Sequence, residues 1–218
     1  CCHTPSGSAL SHDDWLRVLE IVRSRELLPL FDFAYQGFGE GLGEDAWAVR
    51  LFAETLPEVL ITSSCSKNFG LYRERTGALI VIAAGHEQLL DVRSQLAALA
   101  RGLWSTPPAH GAAVVTTILA DDALRQIWQD EVEGMRQRIA SLRQRLVEAL
   151  TPYGLAERFA HIAEQRGMFS YTGLTAAQVR RLRAEHSVYL VESGRASVAG
   201  LDAERLDELA RAFASVVD

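Results

Sequence analysis

The chain has 218 residues, of which 48% are hydrophobic and 23% are charged, and its formal net charge is −6. This composition predicts a globular protein with one large domain or two smaller ones, and no Lys/Arg-rich block indicates a nucleic-acid or membrane-surface partner. No apolar run reaches the roughly 18 to 20 residues that a membrane-spanning helix needs.

The chain opens on Cys-Cys-His-Thr-Pro-Ser-Gly, with neither an initiator methionine nor the charged start and apolar segment of a signal peptide. Its three cysteines, Cys1, Cys2 and Cys65, form neither a disulfide framework nor a zinc-type spacing. We therefore expect a cytoplasmic protein without a metal site, and we expect this chain to be a piece of something longer.

The first half alternates predicted strands with predicted helices. Ser11 and Asp14 are typical of a helix N-terminus, and Trp15, Leu19 and Val22 form one face of the helix that follows. Short apolar runs predict buried strands, and amphipathic runs between them predict helices. The strands are expected at residues 28–33, 59–62 and 78–83, and the helices at 44–55 and 87–101. This alternation predicts an α/β fold with a mostly parallel sheet, whose ligands bind beyond the carboxyl ends of the strands.

The pattern changes after about residue 109. Residues 121–150 predict one or two long helices, and short strands are expected near 168–171, 188–191 and 196–199. Helices are expected at 176–186 and 202–217. This second half predicts a smaller α+β domain joined by the long helix, with domains at 1–125 and 126–218.

Lys67 is the only lysine in a chain that has 21 arginines. Arginine replaces lysine on surfaces and in ion pairs, but it neither forms a Schiff base nor loses its proton at working pH. Chance in a lysine-poor sequence is the alternative explanation.

The neighbours of Lys67 favour a function. Ser64 and Ser66 flank it and Arg75 follows eight residues later, and hydroxyls with a guanidinium suit a phosphate monoester. A lysine that can form a Schiff base beside such a phosphate site suits an aldehyde cofactor that carries a phosphate, as pyridoxal 5'-phosphate does. The competing phosphate loop, Gly-x-x-x-x-Gly-Lys-Ser/Thr, is absent from the sequence.

The segment at 64–77 reads Ser-x-Ser-Lys-Asn-Phe-Gly-Leu-Tyr-x-Glu-Arg-x-Gly. It resembles the lysine motif of the class I aminotransferases, in particular the aspartate and aromatic-amino-acid branch. Further similar segments follow in family order from end to end: Cys-Cys-His-x-Pro-x-Gly at 1–7, Asp-Phe-Ala-Tyr-Gln-Gly-Phe at 32–38, Trp-Ser-x-Pro-Pro-Ala-His-Gly at 104–111, Gln-Arg-Gly-Met-Phe-Ser-Tyr-Thr-Gly-Leu at 165–174 and Ser-Gly-Arg-x-x-Val-Ala-Gly-Leu at 193–201. The resemblance implies fold type I of the pyridoxal-phosphate-dependent transferases, with a partial large domain here and a smaller C-terminal α+β domain.

The resemblance implies roles for three residues in catalysis. Lys67 would hold pyridoxal phosphate through its amine and, once freed by the substrate, carry the proton to and from the substrate α-carbon. Asp32 would pair with the protonated pyridine nitrogen, and Tyr35 would hydrogen-bond the phenolic oxygen of the cofactor. Without the resemblance, a strand-end cap is the preferred interpretation of Asp32, and an ordinary half-buried side chain is the preferred interpretation of Tyr35.

The resemblance also implies which residues contact the rest of the cofactor. Ser64, Ser66 and Arg75 would hold the phosphate, although Arg75 alone is equally a surface residue. Thr4 stands where the family has an asparagine that donates to the phenolic oxygen, and a threonine hydroxyl has a shorter reach.

Three residues are implied for the substrate. Arg195 would bind the α-carboxylate as a bidentate pair. Arg101 would reach across a homodimer interface to a second carboxylate, with a cation near a helix C-terminus as the alternative. Phe169 would line the substrate pocket, or simply pack in the core. Thr106 replaces an asparagine or serine of the family beside the distal site.

The resemblance predicts an aminotransferase that moves an amino group between an aromatic or acidic L-amino acid and 2-oxoglutarate by a ping-pong mechanism. Decarboxylation or elimination with the same cofactor is a second possibility, and a degenerate relative that serves as a binding or oligomerisation module is a third. Because family chains are nearly twice as long, we expect these 218 residues alone to fold poorly and to be poorly active.

Overall fold

A computed structural model describes residues 6–217 of the chain. The described residues divide into two compact units. The first unit comprises residues 10–37 and 41–132, and the second comprises residues 6–9, 38–40 and 133–217. The predicted domain boundary at 125/126 falls within the same long helix as the division after Val132, and it stays a prediction.

The first unit contains three strands and four helices in full. These are α1 His12–Ser24, β1 Leu30–Phe33, α2 Trp47–Thr55, β2 Val59–Ser64, β3 Gly77–Ile82, α3 His86–Trp104 and α4 His110–Ala120. A short 3-10 helix at Glu44–Ala46 precedes α2. α1 begins as predicted, because the Ser11 side chain accepts from the Asp14 backbone N–H and the Asp14 carboxylate accepts from the Ser11 N–H.

The sheet of the first unit has the order β1-β2-β3. β1 and β2 are parallel, with Asp32 opposite Thr62, and α2 forms the crossover between them. β3 is antiparallel to β2, with Ser64 opposite Gly77. Because no helix lies between β2 and β3, the chain reverses direction after β2 and β3 pairs directly with it.

The core of the first unit lies between the sheet and helices α1 and α2. Phe52 is 1% exposed and packs edge-on against Phe31 and Trp15, with ring centroids 5.0 and 5.9 Å away. The expectation that β1 and β3 are buried is confirmed for Phe33, which is 6% exposed, but it is wrong for Leu30 and Ile80, which are 63% and 48% exposed. Each of these strands lies at an edge of the sheet and pairs only with β2.

The second unit is built on the C-terminal part of α5, which runs without a break from Asp122 to Leu150. It contains α6 Ala156–Phe159, α7 His161–Glu164, β4 Phe169–Tyr171, α8 Ala176–His186, β5 Arg195–Ser197 and α9 Leu206–Val216. β4 and β5 form an antiparallel pair. Buried apolar side chains of α5, α8 and α9 form one core, including Leu142, Leu150, Val179, Leu182, Ala210 and Phe213.

Two predictions for the elements need correction. Residues 188–191 are not a strand; the Val191 carbonyl instead closes a turn by accepting from the Gly194 N–H. The sequence also did not predict α4, whose Ala, Val and Thr residues show little contrast between faces. Among residues 6–217, no helix combines the length and the apolar character that crossing a membrane requires.

Candidate active site

Lys67 lies in the turn that follows the carboxyl end of β2. The turn is closed by hydrogen bonds from the Gly70 N–H to the Lys67 carbonyl, 3.2 Å, and from the Leu71 N–H to the Cys65 carbonyl, 3.3 Å. The Lys67 ammonium nitrogen lies 4.6 Å from the centre of the Tyr35 ring. Lys67 is half-buried, so its amine is held against an aromatic face rather than extended into water.

Asp32 and Tyr35 come from the neighbouring strand and the loop after it. Asp32 is the third residue of β1 and lies opposite Thr62 in the parallel register. Its side chain is exposed in the described chain, whereas Tyr35 is half-buried. The carboxyl ends of β1 and β2 therefore bring the Asp32, Tyr35 and Lys67 segments to one edge of the sheet, which is where parallel strands bind ligands.

The three predicted phosphate contacts lie on both sides of Lys67. The Ser66 N–H donates to the Ser64 hydroxyl, 3.2 Å, and an Arg75 guanidinium nitrogen donates to the Ser66 hydroxyl, 3.5 Å. The same guanidinium donates to the Tyr72 carbonyl at 2.7 Å. Arg75 has φ +52°, a left-handed conformation that few residues other than glycine adopt, and such strain is concentrated at functional sites.

Close packing holds the Arg75 segment against α4. A Cβ added at Gly111 would lie 1.8 Å from the Thr76 hydroxyl oxygen and 2.9 Å from the Glu74 Cβ. Only glycine therefore fits at this position, and the first turn of α4 lies directly against the side chains of Glu74 and Thr76, the two neighbours of Arg75.

Two other titratable groups near Lys67 favour their neutral forms. Burial raises the pKa of the Cys65 thiol. Desolvation raises the pKa of the Tyr72 hydroxyl, and the nearby Tyr35 phenol adds to this rise. Since a thiol reacts as its thiolate, the raised pKa makes Cys65 a poorer nucleophile at neutral pH than an ordinary cysteine.

The second unit positions Arg195 and Phe169 next to each other. Arg195 begins β5 opposite Tyr171, and its guanidinium carbon lies 5.0 Å from the centre of the Phe169 ring. The Thr172 N–H and hydroxyl both donate to the Gly194 carbonyl, at 2.9 and 2.8 Å. Gly194 has φ +84°, and a Cβ there would lie 2.9 Å from the Leu174 carbonyl oxygen. The backbone on the N-terminal side of Arg195 is thus closely held.

Two predicted site residues are not placed in a pocket by the described chain. Arg101 lies in the last turn of α3 and is exposed. Thr4 lies outside the described residues.

Comparison with known proteins identifies the family of the chain. The sequence pattern of the family "Aminotransferase class I and II" matches residues 1–213. The chain belongs to this family.

Curated relatives of this aminotransferase-family chain act on aromatic amino acids or aspartate, by their names. An aromatic-amino-acid aminotransferase of Pseudomonas aeruginosa is 74% identical over 99% of the chain, and an aspartate aminotransferase of Escherichia coli is 48% identical over all of it. These matches cover 54% and 55% of the two relatives. The chain thus spans about half the length of the curated relatives that it matches.

Solved structures of the family share the fold of the chain. An aromatic-amino-acid aminotransferase from Burkholderia pseudomallei, covalently bound to pyridoxal phosphate, superposes with a TM-score of 0.96 at 47% identity. A mitochondrial aspartate aminotransferase from Trypanosoma brucei gives 0.96 at 40% identity. All of the chain is covered in both cases, with 55% and 57% of the respective structures. The fold is therefore that of the fold type I aminotransferases, of which the chain contains a part.

Asn68, Trp128 and Arg143 also support the two units of this aminotransferase-family chain, although the sequence motifs assign them no role. Asn68 was quoted in a motif without a role, although it is 6% exposed and donates to the Gln36 carbonyl. Trp128, 60 residues further on, donates to the Asn68 carbonyl. Arg143 is 1% exposed within α5. A charged residue on the apolar stripe of a helix was the available signal for Arg143, whereas no local pattern indicated the contact of Trp128.

Proposed function

We propose that the protein is a pyridoxal-phosphate-dependent aminotransferase. The observation that supports this most is the surrounding of the one lysine: the Lys67 amine lies 4.6 Å from the Tyr35 ring centre, and Arg75 donates to the hydroxyl of the residue beside it. An amine held next to a phenol, with a guanidinium and hydroxyls close by, fits an aldehyde that carries a phosphate.

The residues present fit this cofactor in their donor chemistry. When bound, pyridoxal phosphate supplies an electron sink for the pair of electrons left when the substrate α-proton departs. The Ser64 and Ser66 hydroxyls and the Arg75 guanidinium can all donate to phosphate oxygens. Lys67 would supply the primary amine that can bond an aldehyde, and once free this amine could hold the proton taken from the substrate α-carbon.

In this proposal Asp32 and Tyr35 contact the two polar positions of the cofactor ring, its nitrogen and its phenolic oxygen. The exposed Asp32 carboxylate, at the end of β1, is free of a described salt bridge and can pair with a protonated ring nitrogen. Tyr35, which lies beside Lys67, can donate its hydroxyl to the phenolic oxygen. The cofactor roles of these residues, together with that of Thr4, remain predictions.

The substrates in this proposal are an aromatic or acidic L-amino acid and 2-oxoglutarate. Arg195 offers the planar pair of donors that binds an α-carboxylate, and its stacking on Phe169 limits the directions that the guanidinium can take. Phe169 also offers an apolar wall to the substrate side chain. Arg101, exposed on α3, can bind a distal carboxylate, including that of a partner subunit's substrate.

Further parts of the proposal concern assembly and location. A homodimer with shared sites, a cytoplasmic location, and the absence of nucleic-acid and membrane partners remain predictions. Sedimentation of the full-length protein and fractionation of the source cells would check them.

Reduction with borohydride is expected to trap pyridoxal phosphate covalently on Lys67. The full-length protein would be incubated with pyridoxal phosphate, reduced with borohydride and digested, and the label found by peptide mass. Because residues 1–218 contain a single lysine, one labelled peptide from this part of the chain identifies the residue without ambiguity. An unlabelled Lys67 would contradict the proposal and favour a relative that binds no cofactor.

Replacing Arg195 by lysine is expected to lower kcat/KM for the amino acid about 100-fold, since one ammonium cannot reproduce two parallel hydrogen bonds to a carboxylate. The measurement is steady-state kinetics with the amino acid and 2-oxoglutarate varied in turn, and both substrates should be affected because both carry an α-carboxylate. Arg158→Lys is the matched control, because the exposed Arg158 also lies over a phenylalanine ring, that of Phe159 at 5.9 Å. Equal losses in the two variants would contradict a substrate role for Arg195.

A further inference from the structure

Trp128 of α5 makes two contacts to the turn that carries Lys67. Its indole N–H donates to the Asn68 carbonyl at 2.7 Å. Its ring stacks on Phe69, with 4.4 Å between centroids and 11° between planes. Both contacts reach the residues directly after Lys67, so the indole fixes the turn through a polar and an apolar contact at once.

The side chain of Asn68 extends the connection to the loop that carries Tyr35. Its amide nitrogen donates to the Gln36 carbonyl at 3.3 Å. That loop is held in turn, since the Gln36 amide donates to the Leu42 carbonyl at 2.9 Å and the Gly37 N–H donates to the buried Asp45 carboxylate at 2.8 Å. Asn68, which directly follows Lys67, is therefore hydrogen-bonded to Gln36, which directly follows Tyr35.

We propose that Trp128 and Asn68 are positioning residues for Lys67, which hold its amine beside Tyr35 in the geometry that reaction with an aldehyde requires. The proposal rests on the proposed function, because it assigns these residues to the amine that would bond the cofactor. Lysine has four rotatable side-chain bonds, and a displaced backbone would move the amine by more than the small distances on which reaction rates depend. Neither Trp128 nor Asn68 touches the reacting atoms; both act through the backbone of the turn.

The indole N–H separates positioning from simple packing. Phenylalanine at position 128 keeps a ring that can stack on Phe69 but has no donor for the Asn68 carbonyl. If Trp128 only fills space, Trp128→Phe should behave like a substitution at a site remote from Lys67. If it holds the turn, the reactivity of the Lys67 amine should fall while the fold is kept.

The test measures the labelling rate of Lys67 in the cofactor-free full-length protein. Pyridoxal phosphate and cyanoborohydride would be added, and the pyridoxyl peptide would be quantified by mass over time. Trp128→Phe is expected to slow labelling about fivefold, as the loss of one hydrogen bond of about 1 kcal/mol implies. Trp104→Phe is the matched control, since Trp104 is 64% exposed and the exchange is the same.

Asn68→Ala provides the second variant, because it removes the link to Gln36 and keeps Trp128. It is expected to slow labelling by at least as much, with the unfolding midpoint of each variant measured alongside. Labelling of Trp128→Phe and Asn68→Ala at the rate of the Trp104→Phe control would overturn the positioning proposal. Absence of label in the parent protein would instead overturn the proposed function on which it rests.

Rescue of activity by an added amine provides a measurement that distinguishes the positioning of Lys67 from general support of the fold. In a Lys67→Ala background, added methylamine takes the place of the lysine amine, so the position of the turn no longer matters for proton transfer. Trp128→Phe is then expected to leave the amine-dependent rate unchanged, although it lowers the rate when Lys67 is present. A similar loss in both backgrounds would show that Trp128 acts on the fold in general and would overturn the assignment.

Discussion

Replacing Lys67 by arginine is expected to lower the rate of amino transfer by at least about 10⁴-fold, because it would remove both the proposed covalent anchor and the proposed general base. The exchange keeps a positive charge and most of the side-chain length, so a loss of activity could not be attributed to a loss of charge. What it removes is the capacity to become neutral: a guanidinium stays protonated at any working pH, and it forms no Schiff base with an aldehyde.

Arg73→Lys is the matched control for this experiment. Arg73 is exposed and lies in the same connection between β2 and β3, so this variant makes the reverse exchange close to the site. It should retain the activity of the parent protein. Product formation would be measured with and without 2-oxoglutarate, which also separates amino transfer from decarboxylation or elimination. More than one hundredth of the parent activity in Lys67→Arg would contradict the role of Lys67.

Binding of the cofactor should survive the loss of chemistry. The residues proposed to hold the phosphate, Ser64, Ser66 and Arg75, are unchanged in Lys67→Arg. Quenching of tryptophan fluorescence by pyridoxal phosphate is therefore expected to persist at higher cofactor concentrations, without a borohydride-stable label at position 67. This combination would separate the covalent role of Lys67 from a role in building the site.

Local sequence signals predicted the elements whose structure depends on neighbours in the chain. The helix Ala176–His186 has the predicted bounds, because Thr175 and Gln178 form a capping box at its start. The start of α1 was predicted from Ser11 for the same reason. Such signals involve residues three or four positions apart, and a sequence displays them directly.

Burial was predicted less well than secondary structure. Leu30 was expected inside the sheet, yet it is 63% exposed on an edge strand. An apolar run indicates that a strand suits a buried position, but the run does not identify the segment that covers it. The exposure of Leu30 follows from which strands pair, and periodicity within one strand does not show the order of strands in a sheet.

The residues of the candidate site also differ in whether the sequence alone could predict them. Lys67, Ser66 and Arg75 were predicted from one segment, because their chemistry is apparent within ten residues of sequence. The contact between Trp128 and Asn68 joins residues 60 positions apart and depends on how α5 packs in the first unit. Positioning residues of this kind become visible only when the fold brings distant parts of the chain together.

Arg143 is expected to be the most important single polar side chain for the stability of the second unit. It is 1% exposed on α5, and its guanidinium donates to neutral oxygens of the segments around β4. The acceptors are the carbonyls of Ile162, Arg166, Gly167 and Phe169 and the hydroxyl of Ser170. A planar group with five N–H donors is suited to serve so many acceptors at once, and a lysine ammonium with three is not.

Replacing Arg143 by methionine is expected to lower the free energy of unfolding by about 3 kcal/mol, because buried carbonyls that lose their donor keep the full cost of leaving water. Methionine has a similar length and fills the space, so the loss should come from hydrogen bonds and not from a cavity. Urea unfolding followed by circular dichroism would measure it, with a check that the dependence on urea concentration is unchanged.

Arg138→Met is the matched control, because Arg138 lies on the same helix and donates to two carbonyls, those of Ala199 and Leu201, each at 3.0 Å. Arg138 is exposed, so water can replace its hydrogen bonds, and the expected loss is below about 1 kcal/mol. Equal losses in the two variants would contradict the argument, since they would show that burial does not determine the cost.

The effect of Arg143 should extend to Arg195 and Phe169, the residues of the second unit that are proposed to contact the substrate. Its guanidinium holds the Phe169 carbonyl at 2.7 Å, and the Phe169 ring carries the Arg195 guanidinium. When the start of β4 loosens, Arg195 loses the surface on which it stacks. Arg143→Met is therefore expected to raise KM for the amino acid under conditions in which the protein is still folded, whereas Arg138→Met should leave KM unchanged. An unchanged KM in Arg143→Met would limit Arg143 to stability and would show that the stacking of Arg195 on Phe169 does not depend on it.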